Sequence, residues 1–115
     1  MIMYTLDTKI NDIINDPIFK HYGRLIFPVN KSYYSGQTLR QLRLTWYNHI
    51  DPDKTVEIVN YMKQQVLTQH TIFFDIYSEE EKKRDPSKKN TGLFYFKGKP
   101  NAKFAICNAG GGFAY

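Results

Sequence analysis

Apolar residues near the start of the chain fall on one helical face. From Leu6 to Ile14 this spacing predicts a short amphipathic helix. The helix is expected to end before Asp16-Pro17, because a residue that precedes proline disfavours the α region. Pro17 to Tyr22 predicts a further helical turn that Gly23 ends, and residues 24–28 predict an extended segment closed by a proline.

Two more helices are predicted before residue 70. Over residues 38–47 apolar side chains recur at spacings of three and four, which predicts one buried helix face. That face comprises Leu39, Leu42 and Trp46. Residues 52–69 form the clearest element, because Asp51 offers an N-cap oxygen and Pro52 suits the first helical position. The apolar stripe of this helix is interpreted as core and comprises Val56, Val59, Met62 and Val66.

The period of the pattern changes after Gln69. Residues 71–77 are β-branched and aromatic and predict a strand, and residues 91–97 predict a second strand. Between these strands, Ser78 and Glu81 have the spacing of a capping box, which predicts a charged helical turn.

A third strand is predicted over residues 103–108, which are apolar at successive positions. Such a run is typical of an interior strand in a sheet that helices cover on each side. The fold class is therefore α/β, and α+β within this stretch, with a helical region at residues 1–70 and the start of a sheet at residues 71–115.

The net charge of +5 and the pI of about 9.3 raise the question of nucleic-acid binding. Residues 1–50 carry six basic and three acidic side chains, and residues 51–115 carry ten and eight, so the excess is thinly spread. Lys82 to Lys89 is interpreted as a solvated turn. We therefore expect no nucleic-acid partner, and the weaker alternative of such binding would use Arg40, Arg43 and that turn.

No apolar run approaches the roughly 20 residues of a membrane-spanning helix, so no membrane partner is expected. The N-terminus lacks a basic stretch followed by an apolar one, which favours a cytoplasmic protein. The single cysteine, Cys107, lies in an apolar run and is predicted to be a small buried residue.

Three consecutive glycines follow the predicted third strand, at Gly110, Gly111 and Gly112. Glycines at a strand end indicate a need for positive φ or for unobstructed backbone N–H groups. The spacing does not match a phosphate-binding loop, and the position suits an oxyanion hole. A flexible glycine tail is the alternative.

The stretch from Ala102 to Phe113 resembles the third strand and oxyanion loop of α/β-hydrolases of the esterase and lipase type. The resemblance equates residues 71–77 and 91–97 with the first two, antiparallel strands of that fold, and residues 1–70 with an N-terminal extension. Ala109 stands where the family motif has histidine or proline, but the glycines carry the N–H groups.

This resemblance implies a serine carboxylic-ester hydrolase that acts on a small-molecule ester and uses no metal or other cofactor. In that enzyme Gly110, Gly111 and Gly112 would be backbone donors of the oxyanion hole, and Phe113 and Tyr115 would wall an acyl pocket.

Such an enzyme also requires a Gly-x-Ser-x-Gly elbow, an acid and a late histidine. The serines of this chain lie outside that motif, and its histidines precede the predicted sheet. These residues are Ser32, Ser35, Ser78, Ser87, His21, His49 and His70. We therefore expect the chain to be the N-terminal part of the enzyme and to be inactive by itself.

In the family's strand order the fourth strand lies between the second and the third, and this chain is expected to stop before it. The predicted third strand would then be an exposed apolar edge, so we expect either self-association through sheet edges or direct pairing of strands two and three. An alternative from another class is a small α+β interaction module that binds through its aromatic surface.

Overall fold

The computed structural model describes residues 3–28, 36–42 and 50–107. The chain divides after His70 into two compact units, Met1–His70 and Thr71–Tyr115. This boundary falls where the sequence changes from a helical to an extended pattern. Residues 43–47 of the predicted third helix and the glycine loop at 108–115 lie outside the described residues.

Helix α1 spans Ile10–Ile14 in the first unit, and a 3₁₀ segment spans Pro17–Leu25. The predicted stop before Asp16-Pro17 is confirmed, and the Asp16 side chain caps the following segment by accepting a bond from the Ile18 N–H. The prediction that residues 24–28 are extended is wrong. Ile26 has helical backbone angles, since its N–H donates to the Gly23 carbonyl and prolongs the turn.

A 3₁₀ helix at Leu39–Gln41 replaces the start of the longer helix predicted over 38–47. It ends at Leu42, whose ψ of 120° leaves the helical region. Its buried residue is Leu39, and the helix packs against the helix at Pro52–Leu67. Among the described residues, the core of the first unit comprises Tyr4, Ile10, Ile13, Phe19, Tyr22, Phe27, Leu39, Leu42, Val59 and Met62.

Helix α2 spans Pro52–Leu67, as the capping pattern predicts. The Asp51 carboxylate accepts bonds from the N–H groups of Asp53 at 3.0 Å and Lys54 at 3.3 Å. Gln69, with φ of 66°, ends the helix in the left-handed region. These bonds and angles satisfy orphan backbone groups at both ends of α2.

The second unit holds a two-stranded antiparallel sheet. Strand β1 is Phe73–Phe74 and strand β2 is Leu93–Phe94, with Phe73 opposite Phe94 and Phe74 opposite Leu93. The strands are shorter than the predicted 71–77 and 91–97, and backbone bends follow β1 at residues 76 and 77.

Helix α3 spans Glu79–Arg84 between the two strands, and a 3₁₀ helix spans Pro86–Asn90. The predicted capping box is confirmed. The Glu81 N–H donates to the Ser78 hydroxyl oxygen at 3.2 Å, and the Ser78 N–H donates to a Glu81 carboxylate oxygen at 3.2 Å. Local sequence therefore fixes where α3 begins.

The prediction of an interior strand at 103–108 is wrong for residues 103–107, which form no strand and are exposed. Phe104 is 87% exposed and Ile106 is 73% exposed, and Cys107 is exposed as well, contrary to its predicted burial. An apolar run becomes interior only when strands pair with it, and no described residue does so. The described fold is thus mixed α+β with a small sheet. No described helix is long and apolar enough to cross a membrane.

Candidate functional site

The predicted oxyanion-hole residues Gly110, Gly111 and Gly112 lie outside the described residues, as do Phe113 and Tyr115 of the predicted acyl pocket. The described chain reaches Cys107, one residue before the predicted loop. The segment that leads to the loop is exposed and unpaired among the described residues.

The described serine hydroxyls serve local turns. The Ser78 hydroxyl belongs to the cap of α3, and the Ser87 hydroxyl donates to Asp85 at 2.6 Å. His21 and His70 are exposed, and the His70 Nδ1 lies 3.0 Å from the Thr68 hydroxyl. Ser32, Ser35 and His49 lie outside the described residues.

A polar cluster lies in the first unit where Tyr4, Asp16 and Lys63 meet. The Tyr4 hydroxyl donates to Asp16 Oδ2, and Lys63 Nζ lies 3.4 Å from the same oxygen. The Lys63 ammonium also lies 4.5 Å from the centre of the Tyr4 ring, within cation–π range. The sequence carries no motif for this cluster, because its members come from three separate segments.

Electrostatics assign this cluster a structural role. Burial raises the pKa of the Tyr4 hydroxyl, and the neighbouring Asp16 carboxylate raises it further. Burial opposes ionisation of Asp16, but bonds from the Tyr4 hydroxyl and the Ile18 N–H, together with the charge of Lys63, outweigh it and lower its pKa. Tyr4 therefore keeps its proton and Asp16 keeps its charge, so neither group is prepared for proton transfer near neutral pH.

A second polar cluster surrounds Lys82 in the second unit and corrects the expectation of a fully solvated turn. Lys82 is 5% exposed, and its ammonium lies 2.7 Å from Asp75 and 3.4 Å from Glu79. The bond with Asp75 raises the pKa of Lys82. Lys82 ties the end of β1 to α3 and is not available to a phosphate.

Two other cations considered for nucleic-acid binding, Arg40 and Lys88, also have partners within the chain. Arg40 lies 3.3 Å from the Asp7 carboxylate, and the Lys88 ammonium lies 4.8 Å from the centre of the Tyr77 ring. Arg43 lies outside the described residues. No group of three or more His, Cys, Asp or Glu side chains suited to a metal ion occurs among the residues that the structure describes.

The sheet of the second unit carries exposed apolar side chains on one of its sides. Phe73 and Phe94 pack edge to face on one side of the sheet with ring centres 5.1 Å apart. By the register, Phe74, Leu93 and Tyr95 lie on the other side, and each is about half exposed. We call these three residues the hairpin face.

Comparison with known proteins yields no match to a family model, to a curated protein or to a solved structure.

Proposed function

We propose that this chain is the N-terminal part of a serine carboxylic-ester hydrolase of the α/β-hydrolase class. In this proposal residues 1–70 are an N-terminal extension and residues 71–115 begin the sheet. Gly110, Gly111 and Gly112 supply backbone N–H groups to the oxyanion hole.

The observation that supports the proposal best is the arrangement of the two strands. They are antiparallel, as in the first hairpin of that fold, and they carry apolar side chains on both faces. Phe73 is buried on one face, while Phe74 and Leu93 remain exposed on the other. Apolar side chains on both faces are typical of sheets that helices cover on each side.

In the proposed enzyme this chain would stabilise negative charge on the carbonyl oxygen of the substrate. It would not supply the nucleophile that attacks the carbonyl carbon. Backbone N–H groups of the glycine loop would stabilise the negative oxygen of the tetrahedral intermediate, each contributing about 3 kcal/mol to the transition state. Phe113 and Tyr115 would contact the acyl group. No Gly-x-Ser-x-Gly elbow occurs within residues 1–115, so the nucleophile would come from further sequence.

The proposal is tested first on the coding sequence that continues the frame after codon 115, and then on the protein expressed from that frame. We expect a Gly-x-Ser-x-Gly elbow followed by an acid and a histidine. In that protein, Gly111→Pro should lower kcat for p-nitrophenyl acetate about 10²- to 10³-fold, because proline removes one N–H donor.

Gly98→Pro is the matched control, since a Cβ at Gly98 would meet no atom within 4 Å. It should leave kcat within about twofold. An absent elbow, or equal losses of kcat in both variants, would overturn the proposal. Turnover of p-nitrophenyl acetate by the 115-residue chain alone would contradict its expected inactivity.

A second candidate function is a protein-interaction module, and the hairpin face favours it. Soluble monomers rarely expose a contiguous apolar surface of several large side chains without a partner. Tyr61, Tyr95 and Phe96 are exposed aromatic side chains that such a module could use, whereas Phe73 is buried.

A further inference from the structure

We draw no further inference here: the strongest candidate, the exposed apolar patch that Phe74, Leu93 and Tyr95 form on the hairpin face of the second unit, carries nothing beyond the functions already proposed, because nothing in the described part of the chain shows what covers it.

Discussion

The side-chain amide of Asn60 binds both backbone groups of Tyr4. The Tyr4 N–H donates to Asn60 Oδ1 at 2.7 Å, and Asn60 Nδ2 donates to the Tyr4 carbonyl at 2.9 Å. An amide is suited to this pairing because it offers a donor and an acceptor side by side. Asn60 thus satisfies both backbone groups of Tyr4, as a residue of a neighbouring β-strand would do.

Asn60→Asp should lower the free energy of unfolding of the first unit by about 1 to 3 kcal/mol. The carboxylate cannot donate to the Tyr4 carbonyl, so two acceptors would face each other in a partly buried site. Urea unfolding followed by circular dichroism measures the change. Asn11→Asp, at an exposed position of α1, makes the same substitution and should change the free energy by less than about 0.5 kcal/mol.

The stability of the first unit should fall in acid because of Asp16. The folded pKa of Asp16 lies below its unfolded value, so its stabilising contribution is complete above about pH 4 to 5 and is lost as the pH falls through the folded pKa. Asp16→Asn should therefore lower the free energy of unfolding at pH 7 by about 2 kcal/mol and by much less at pH 2.

Urea midpoints of both proteins at pH 7 and pH 2 check this expectation. Asp12→Asn, at an exposed position of α1, is the control and should have the same urea midpoint as the parent protein at each pH. An equal difference between Asp16→Asn and the parent at pH 7 and pH 2 would contradict the assignment.

Gly92→Ala should disrupt the hairpin. A methyl group at Gly92 would overlap the Phe73 ring, which is buried and packs against Phe94. Moving the ring would disturb its packing against Phe94, so a loss of about 1 to 3 kcal/mol is expected. The hydrogen exchange of the Tyr95 N–H, which donates to the Ile72 carbonyl at 2.9 Å, reports this loss. Gly98→Ala, where a Cβ meets open space, should leave that exchange rate unchanged.

Gln69→Gly should raise the stability of the first unit by about 0.5 to 1 kcal/mol. Gln69 follows the C-cap of α2 with φ of 66°, and its N–H donates to the Val66 carbonyl while the His70 N–H donates to the Gln65 carbonyl. This pair of bonds is the Schellman motif, in which glycine adopts the left-handed conformation without steric strain.

Gln64→Gly provides the opposite case within α2 and should lower stability by about 1 kcal/mol. Thermal unfolding of the two variants separates these effects, and a loss of stability in Gln69→Gly would show that the turn does not have this geometry.

Local sequence was sufficient where a short-range interaction decides the structure. Asp51 and Pro52 define the start of α2, and Ser78 with Glu81 defines the start of α3, because each cap involves residues at most three positions apart. Strand lengths could not be obtained in this way. Pairing of β1 with β2 depends on residues about 20 positions apart, and periodicity within one strand does not report where its neighbour ends.

The polar clusters were missed for a similar reason. Tyr4, Asp16 and Lys63 form no pattern along the chain, and only the packing of α2 brings them together. The run of charges around Lys82 predicts a solvated side chain, but its burial depends on Asp75, the residue after β1. The glycine loop remains a prediction from sequence alone.

The burial of Lys82 distinguishes it from the exposed lysines in chemical labelling. Its ammonium is held between Asp75 and Glu79, whereas Lys97, Lys99 and Lys103 are exposed. An amine-reactive ester should therefore acylate those three lysines first and Lys82 only when α3 opens. The acylation rate at Lys82, measured by mass spectrometry, therefore reports how often the second unit opens locally.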